Sequence, residues 1–292
     1  MSFKDTVVFI TGGSRGIGEA IAVRLAQEGA SVAIAAKTVE ANSKLPGTIH
    51  SAAAAIERAG GKALPIQCDI RDEAQVQRAI EKTVATFGQL DVVINNASAI
   101  YINSTAKTDA KRYDLMHAIN GRGTWLVTKL ALPYLQQSKR PRVLTLSPPL
   151  DMNPKWFEHH TAYTMAKYNM SMLVVGQAAE FASMGIAVNG LWPYTVIQTA
   201  ALQMIESEYG KPNLRTPAVM ADAALEVLLR PASFTGNLCI DEVVLREAGV
   251  RDFAKYALTP GTRDEDMELD GFLGEAEHAR VAMLRKQHGA RL

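Results

Sequence analysis

Tyr163 and Lys167 stand four residues apart in the run Tyr163-Thr164-Met165-Ala166-Lys167, and together they could handle a proton. On a helix, positions i and i+4 share a face. A nearby ammonium favours tyrosinate and lowers a phenol pKa from about 10 toward neutrality. Such a phenol can give or take a proton while a hydride moves. Alone the pair is a weak sign, because both residue types are common on helix surfaces. A second group is Thr11-Gly12-Gly13-Ser14-Arg15-Gly16-Ile17-Gly18. Glycine at 12, 16 and 18 permits a tight turn, close backbone approach to a pyrophosphate and close helix–strand packing. Gly13, Ser14, Arg15 and Ile17 complete the cradle. A helix starting there offers free N–H groups and a positive dipole end. Glycines also serve plain turns, but a strand before and a helix after favour dinucleotide binding.

The end of the second strand chooses between cofactors. An acid there would bind the adenosine ribose and select NAD. This chain has Ala35-Ala36-Lys37-Thr38 instead. Lys37, with Arg15, would neutralise a 2′-phosphate, which favours NADP (NADPH) over NAD; solvated surface charge is the plain alternative. Asp69, after the third strand, either contacts the adenine ring or caps the helix ahead of Asp72-Glu73.

These groups need a frame, and the apolar pattern supplies it. Strands are expected at 6–11, 31–36, 63–67, 92–95, 142–146, 186–191 and 238–240. Helices are expected at 19–28, 51–59, 73–87, 108–117, 123–135 and 162–183, with Asp72 opening the third and Gly88 closing it. Unbroken apolar strands alternating with helices imply an α/β fold, a Rossmann-type doubly wound parallel sheet of about seven strands with helices on both faces. One domain over residues 1–250 with an extension over 251–292 fits the length, which would also permit two domains. Past about 246 the pattern weakens: 262–277 is acidic and the last stretch helical and basic, reading as a surface tail or an oligomer contact.

The motifs in this order resemble the short-chain dehydrogenase/reductase family. They are TGGSRGIG at 11–18, Asn95-Asn96-Ala97-Ser98 after the fourth strand, Asn120, and Tyr163…Lys167. The resemblance covers about residues 5–245. IAAKT, VVINNASAI, LSPPL, NPKWF and AYTMAKY are similar to a hydroxysteroid dehydrogenase-like group whose members commonly add a sterol-carrier domain, for which this chain is too short. The resemblance implies Tyr163 as catalytic acid/base and Lys167 as the residue that lowers its pKa and holds the nicotinamide ribose. It implies that Asn120 anchors a proton-relay water, or else braces its helix. Asn95 and Ala97 match positions that support the sheet and touch the cofactor's adenosine side. Val196, Ile197 and Thr199, after Trp192-Pro193, match the segment that meets the nicotinamide carboxamide and phosphate. Tyr194 stands where the family usually has glycine.

The family strand usually ends in Ser-Ser or Gly-Ser, with the second residue orienting the substrate carbonyl. Here Leu146-Ser147-Pro148-Pro149 puts proline at that second place. Proline has no hydroxyl to donate. Ser147 lies one position earlier, which along a strand points to the other face. Either the chain bends so that Ser147 swings inward, or Tyr163 orients the carbonyl alone. The loop 148–160, rich in Pro, Trp and Phe, is either an apolar wall for a bulky or acyl-chain substrate or a packed surface loop. The lid segment 199–217 carries Met204, Ile205 and Tyr209, as an apolar pocket would.

Composition bounds the partners. The chain has 292 residues, 48% apolar and 21% charged, with net charge +1. No global charge draws it to nucleic acid or an anionic membrane. Cys68 and Cys239 read as buried thiols of a reducing compartment. His159 and His160 are adjacent and lack metal-ligand spacing, so no metal is expected. No leader and no run of about 18 apolar residues appears, so a cytoplasmic protein is expected. The end Ala290-Arg291-Leu292 resembles a variant of the peroxisomal address. The expected partner is a small-molecule carbonyl or alcohol, and by family likeness a homodimer or homotetramer forms through the two long helices. A nucleotide sensor of the same fold, and an epimerase or dehydratase using the cofactor transiently, are the competing readings.

Overall fold

The computed structural model describes residues 3–41, 46–199, 202 and 213–289. Met204, Ile205 and Tyr209 of the expected lid, and the Ala290-Arg291-Leu292 end, lie outside the described residues. The strands are β1 (Val7–Thr11), β2 (Ser31–Ala36), β3 (Lys62–Gln67), β4 (Val92–Asn95), β5 (Arg142–Thr145), β6 (Ala187–Trp192) and β7 (Leu238–Ile240). They form one sheet in the order β3-β2-β1-β4-β5-β6-β7, parallel throughout. The order reverses between β1 and β4, where an open α/β sheet leaves a crevice at its carboxyl ends.

The helices are α1 (Gly16–Gln27), α2 (Ile49–Arg58), α3 (Glu73–Phe87), α4 (Ala110–Met116), α5 (Thr124–Leu135), α6 (Thr161–Glu180), α7 (Ala218–Leu229), α8 (Asp241–Glu247) and α9 (Glu275–Gly289). Strands buried on both faces need two layers of cover. One core joins Val8, Ile10 and Ile34 to Ile21 and Leu25 of α1, Ile56 of α2 and Val219 of α7. The other joins Phe9, Val93 and Val143 to Ile80 of α3, Leu126 of α5 and Val174 of α6. As expected, Asp72 caps α3 by accepting from Gln75 N at 3.0 Å, and Gly88 ends it in the left-handed region. Two separate helices were expected at 108–117 and 123–135. Instead α4 runs into α5 through a π-helical stretch, His117–Gly123, that never leaves helical backbone.

The extension departs from a surface tail. Phe253, Tyr256, Met267, Phe272, Leu273, Val281 and Leu284 are buried. A buried ion network ties it down. The fully buried Glu242 accepts from Arg215 Nη1 at 2.8 Å, Arg246 Nε at 2.8 Å and Arg285 Nε at 2.7 Å. Asp264 accepts from Arg215 Nη2 at 3.1 Å and Arg246 Nη2 at 3.0 Å. Burial alone would raise the Glu242 carboxyl, but Arg285, Arg215 and Arg246 outweigh it and hold it at about 2.

Removing one partner from such a network leaves buried charge uncompensated, at a cost of roughly 3–5 kcal/mol. Glu242→Gln should therefore lower the melting temperature clearly at pH 7. Because the folded carboxyl titrates below its ordinary 4.5, its stabilisation is complete above that pH and is lost as pH falls toward about 2. The gap between wild type and variant, followed by thermal melts across pH, should narrow over that range; a constant gap refutes the account.

Candidate active site

The glycine turn leaves β1 and starts α1 at the crevice. Gly12 has φ +66°, and a Cβ there would lie 2.8 Å from Ala97 Cα. At Gly18 a Cβ would lie 2.4 Å from Asn96 Nδ2, so the helix sits directly on the β4 end. The amide of Asn96 donates to Thr11 O and Gly12 O, both at 3.0 Å. The Thr11 hydroxyl accepts from Asn96 N and Ala97 N, both at 3.1 Å. No side chain caps the start of α1. Among the described residues its first N–H groups have no side-chain cap, and they and the helix dipole suit a phosphate.

A cavity of about 760 Å³ opens here. Gly12, Ser14, Arg15, Gly16 and Ile17 line it from the turn, Lys37 and Thr38 from the end of β2, Cys68 and Asp69 from the end of β3, Asn96 and Ala97 from the end of β4, and Thr199 from the loop after β6. Gly13 instead packs between Ile10 and Ile34. Asn95 is buried in β4 and donates to Thr128 Oγ1 at 3.0 Å. The Arg15 guanidinium is fixed by Pro46 O at 3.1 Å and Gly47 O at 2.8 Å. Lys37 is exposed at the rim. Capping of α3 falls to Asp72, while Asp69 pairs with Arg71, which holds its carboxyl below the usual range.

The proton pair stands on the first turns of α6. Lys167 Nζ donates to Leu146 O at 2.7 Å, just past β5, and lies 4.8 Å from the Trp192 ring centre. Tyr163 is 6% exposed and Lys167 is 2% exposed. The electrostatics differ from the expectation that Lys167 lowers the phenol. Burial pushes Tyr163 above its ordinary value, and the Asp270 carboxylate acts in the same direction. Burial pulls Lys167 down to about 7 against the pull of Asp270. In a site this dry, loss of hydration is the largest cause for both groups.

The two helper residues are placed differently. Ser147 Oγ is fully buried and without a hydrogen-bond partner, 3.1 Å from where a Gly190 Cβ would stand. It continues the β5–β6 ladder through Ser147 N to Leu191 O at 3.2 Å, and its hydroxyl packs over Gly190 of β6. Pro148 O is taken by Ser171 Oγ at 2.6 Å. Asn120, in the π-helical stretch, clamps Ala99: its Oδ1 accepts from Ala99 N at 2.8 Å and its Nδ2 donates to Ala99 O at 3.0 Å. These two bonds tie the π-helical stretch to the loop after β4.

The segment after β6 is held from two sides. Thr195 bridges Leu269, and Ile197 bridges Arg215. Val196 N donates to Glu268 O at 2.9 Å, and Pro193 and Ile197 are buried. Tyr194, in the family's glycine position, reaches α9: its hydroxyl lies 3.1 Å from His278 Nδ1. The 148–160 loop packs rather than lines the cavity. Asn153 caps a short turn at Pro154–Trp156, and Tyr168 OH donates to Asp151 O at 2.7 Å.

Sequence reasoning missed Thr11 and Asn96, which weld the turn to β4, although Asn96 stood inside a motif already noted. It also missed Asp270 and Phe272. The Phe272 ring lies 5.9 Å from Tyr163, 5.9 Å from Trp192 and 5.5 Å from His160. Nothing in the acidic 262–277 stretch marks them.

The short chain dehydrogenase family model matches residues 6–210. The hydroxysteroid dehydrogenase-like protein 2 of Xenopus tropicalis is 51% identical over 283 residues, 97% of this chain and 67% of that one. Its counterpart in Danio rerio is 56% identical over 255 residues, 87% of this chain and 61% of that one. The chain thus spans about two thirds or less of the length of these curated relatives. A crystal structure of a short chain dehydrogenase from Mycobacterium thermoresistibile superposes with a TM-score of 0.87 at 46% identity, covering 94% of this chain and 96% of that one. A family match across most of the sheet, with relatives about half identical over nearly the whole chain, makes this protein a member of the short-chain dehydrogenase family.

Proposed function

We propose that the protein is an NADP(H)-dependent oxidoreductase that interconverts a carbonyl and an alcohol on an apolar small molecule. The observation that carries this reading is Lys167, fixed at 2.7 Å on Leu146 O past the end of β5 and one helical turn from Tyr163, next in the sheet to the β4 end whose Asn96 and Ala97 line the cavity. The uncapped start of α1, beside the cavity that Gly12, Ser14 and Gly16 line, suits a pyrophosphate against backbone. Arg15 and Lys37 line the same cavity, where NAD selection would need an acid. When bound, the nicotinamide supplies or takes the hydride.

Tyr163 handles the proton. With its phenol held protonated by burial, it is set to donate to a carbonyl oxygen in the reductive direction. The Lys167 ammonium steadies the nicotinamide ribose and the charge that develops on Tyr163. With Ser147 enclosed, Tyr163 alone orients the carbonyl. Ile100 and Ile102, exposed apolar side chains that line the cavity, suit an apolar substrate. Exposed Trp125 on α5 and Met165, Met172 and Val175 on α6 suit a homodimer or homotetramer packed through those helices. A nucleotide sensor of the same fold is the second reading, favoured by Pro148 and the enclosed Ser147 hydroxyl.

Tyr163→Phe should cut NADPH-dependent carbonyl turnover by roughly 10²–10⁴-fold while leaving NADPH binding nearly unchanged. Turnover that survives the change refutes the proton role, and a biological effect that survives it while glycine-turn variants abolish that effect makes the protein a sensor. Lys37→Glu should weaken NADPH binding at least tenfold, about 1.4 kcal/mol, and weaken NADH binding far less. Binding is read from nucleotide fluorescence on titration, and equal losses for both nucleotides would remove the assignment of Lys37.

A further inference from the structure

The extension brings one carboxylate to the rear of the Tyr163–Lys167 pair. Asp270 Oδ1 accepts from Trp192 Nε1 at 2.6 Å and from Phe272 N at 2.9 Å. Asp270 N donates in turn to Tyr194 O at 3.1 Å. The other side of the same indole faces the catalytic helix, with Lys167 Nζ 4.8 Å from its centre. The bond to Phe272 N also fixes the ring that packs on Tyr163 at 5.9 Å. One carboxylate thus sets both an aromatic under the ammonium and an aromatic against the phenol. Residue 270 lies beyond the span 6–210 that the family model matches.

We propose that Asp270 is a positioning residue for the Tyr163–Lys167 pair, acting through its hydrogen bond to Trp192, whose indole face holds the Lys167 ammonium. The physical reason is hydration. Lys167 is enclosed, with one carbonyl, Leu146 O, and the thioether of Met170 at 3.4 Å as its hydrogen-bond partners. An ammonium so dry loses its proton readily. An indole whose N–H is bound by a carboxylate presents a more negative face, which strengthens the cation–π contact. The carboxylate itself is pushed up to about 6 by burial against Phe272 N–H, Trp192 and Lys167, so it is mainly ionised at pH 7. It favours the charged Lys167 and the protonated Tyr163 together, which is the state that donates a proton. The other titratable groups around Asp270 and the pair are His160 and Tyr168, which touch Phe272, and His278, with Arg285, behind Tyr194. Burial holds His160 below its ordinary value, so it brings no competing cation near neutrality.

The inference rests on the reading of Tyr163 and Lys167 as the proton pair, but its test needs no substrate. In the full chain, Lys167 Nζ and Cε are followed by NMR across pH with isotope-labelled lysine, Lys167→Arg giving the assignment. Asp270→Asn keeps an oxygen for Trp192 and Phe272 N and removes the charge. It should lower the Lys167 midpoint by roughly one pH unit, a tenfold loss of proton affinity. Trp192→Phe keeps an aromatic face but no N–H, and should also lower it, with Asp270→Glu returning it toward wild type. If turnover is detected, the alkaline limb of the kcat profile should move down in pH with the same order of variants while KM changes little. An unchanged midpoint in Asp270→Asn overturns the proposal, as does a fall in Asp270→Asn that Trp192→Phe does not share. Absence of turnover on every carbonyl tried would count against the oxidoreductase reading and leave the titration to decide this one.

Discussion

The cavity depends on how the chain satisfies its backbone where β1 and β4 part. At that point the sheet order reverses and each strand end faces an open crevice. Polar main-chain groups there need partners, yet a bulky partner would fill the space. Thr11 and Asn96 solve this with short side chains that bond sideways, from one strand end to the other. Gly18 lets α1 close on that weld, and the free N–H groups of α1 are left aimed outward. The glycines are thus required by contact with β4 as much as by any ligand.

A second principle governs the proton pair, which is dehydration. Helix α6 puts Tyr163 and Lys167 under rings from three other parts of the chain: Trp192 at the end of β6, His160 ahead of α6, and Phe272 from the extension. Each ring removes water. The result pushes phenol and ammonium toward their neutral forms, so charge at the site has to be supplied by neighbours and not by solvent. Asp270 is one such neighbour, and the pyridinium ring of an oxidised nicotinamide, were one bound, would be another.

Much of this was legible in the sequence because strands buried on both faces leave unbroken apolar runs. Val7–Thr11 and Ser31–Ala36 could hardly be anything else. The Asp72 and Gly88 boundaries of α3 were legible because capping and the left-handed end have their own residue types. The π-helical stretch His117–Gly123 was hidden, since one wide turn breaks a 3.6-residue period and its glycines, Gly121 and Gly123, read as a boundary between two helices. Ser147 could be named but not aimed, because Pro148 constrains the backbone without saying which way the preceding side chain turns. The packing of the extension, read as a surface tail or an oligomer contact, was not legible, because Phe272, Leu273, Val281 and Leu284 bury through scattered contacts, in a segment whose acids serve ion pairs and a single indole.

A ribosome delivers β7 before it delivers Asp270 and Phe272. Nascent chains fold N-terminal parts first, so the strands of the sheet, with Tyr163 and Lys167 on α6, are made before the Phe272 ring that packs on Tyr163 and the Asp270 carboxylate bound to Trp192, and before the Arg285 that pairs with Glu242. Asp270 and Phe272 therefore act as a finishing piece, adding a carboxylate and one more ring to a pair that Trp192 and His160 already cover in part.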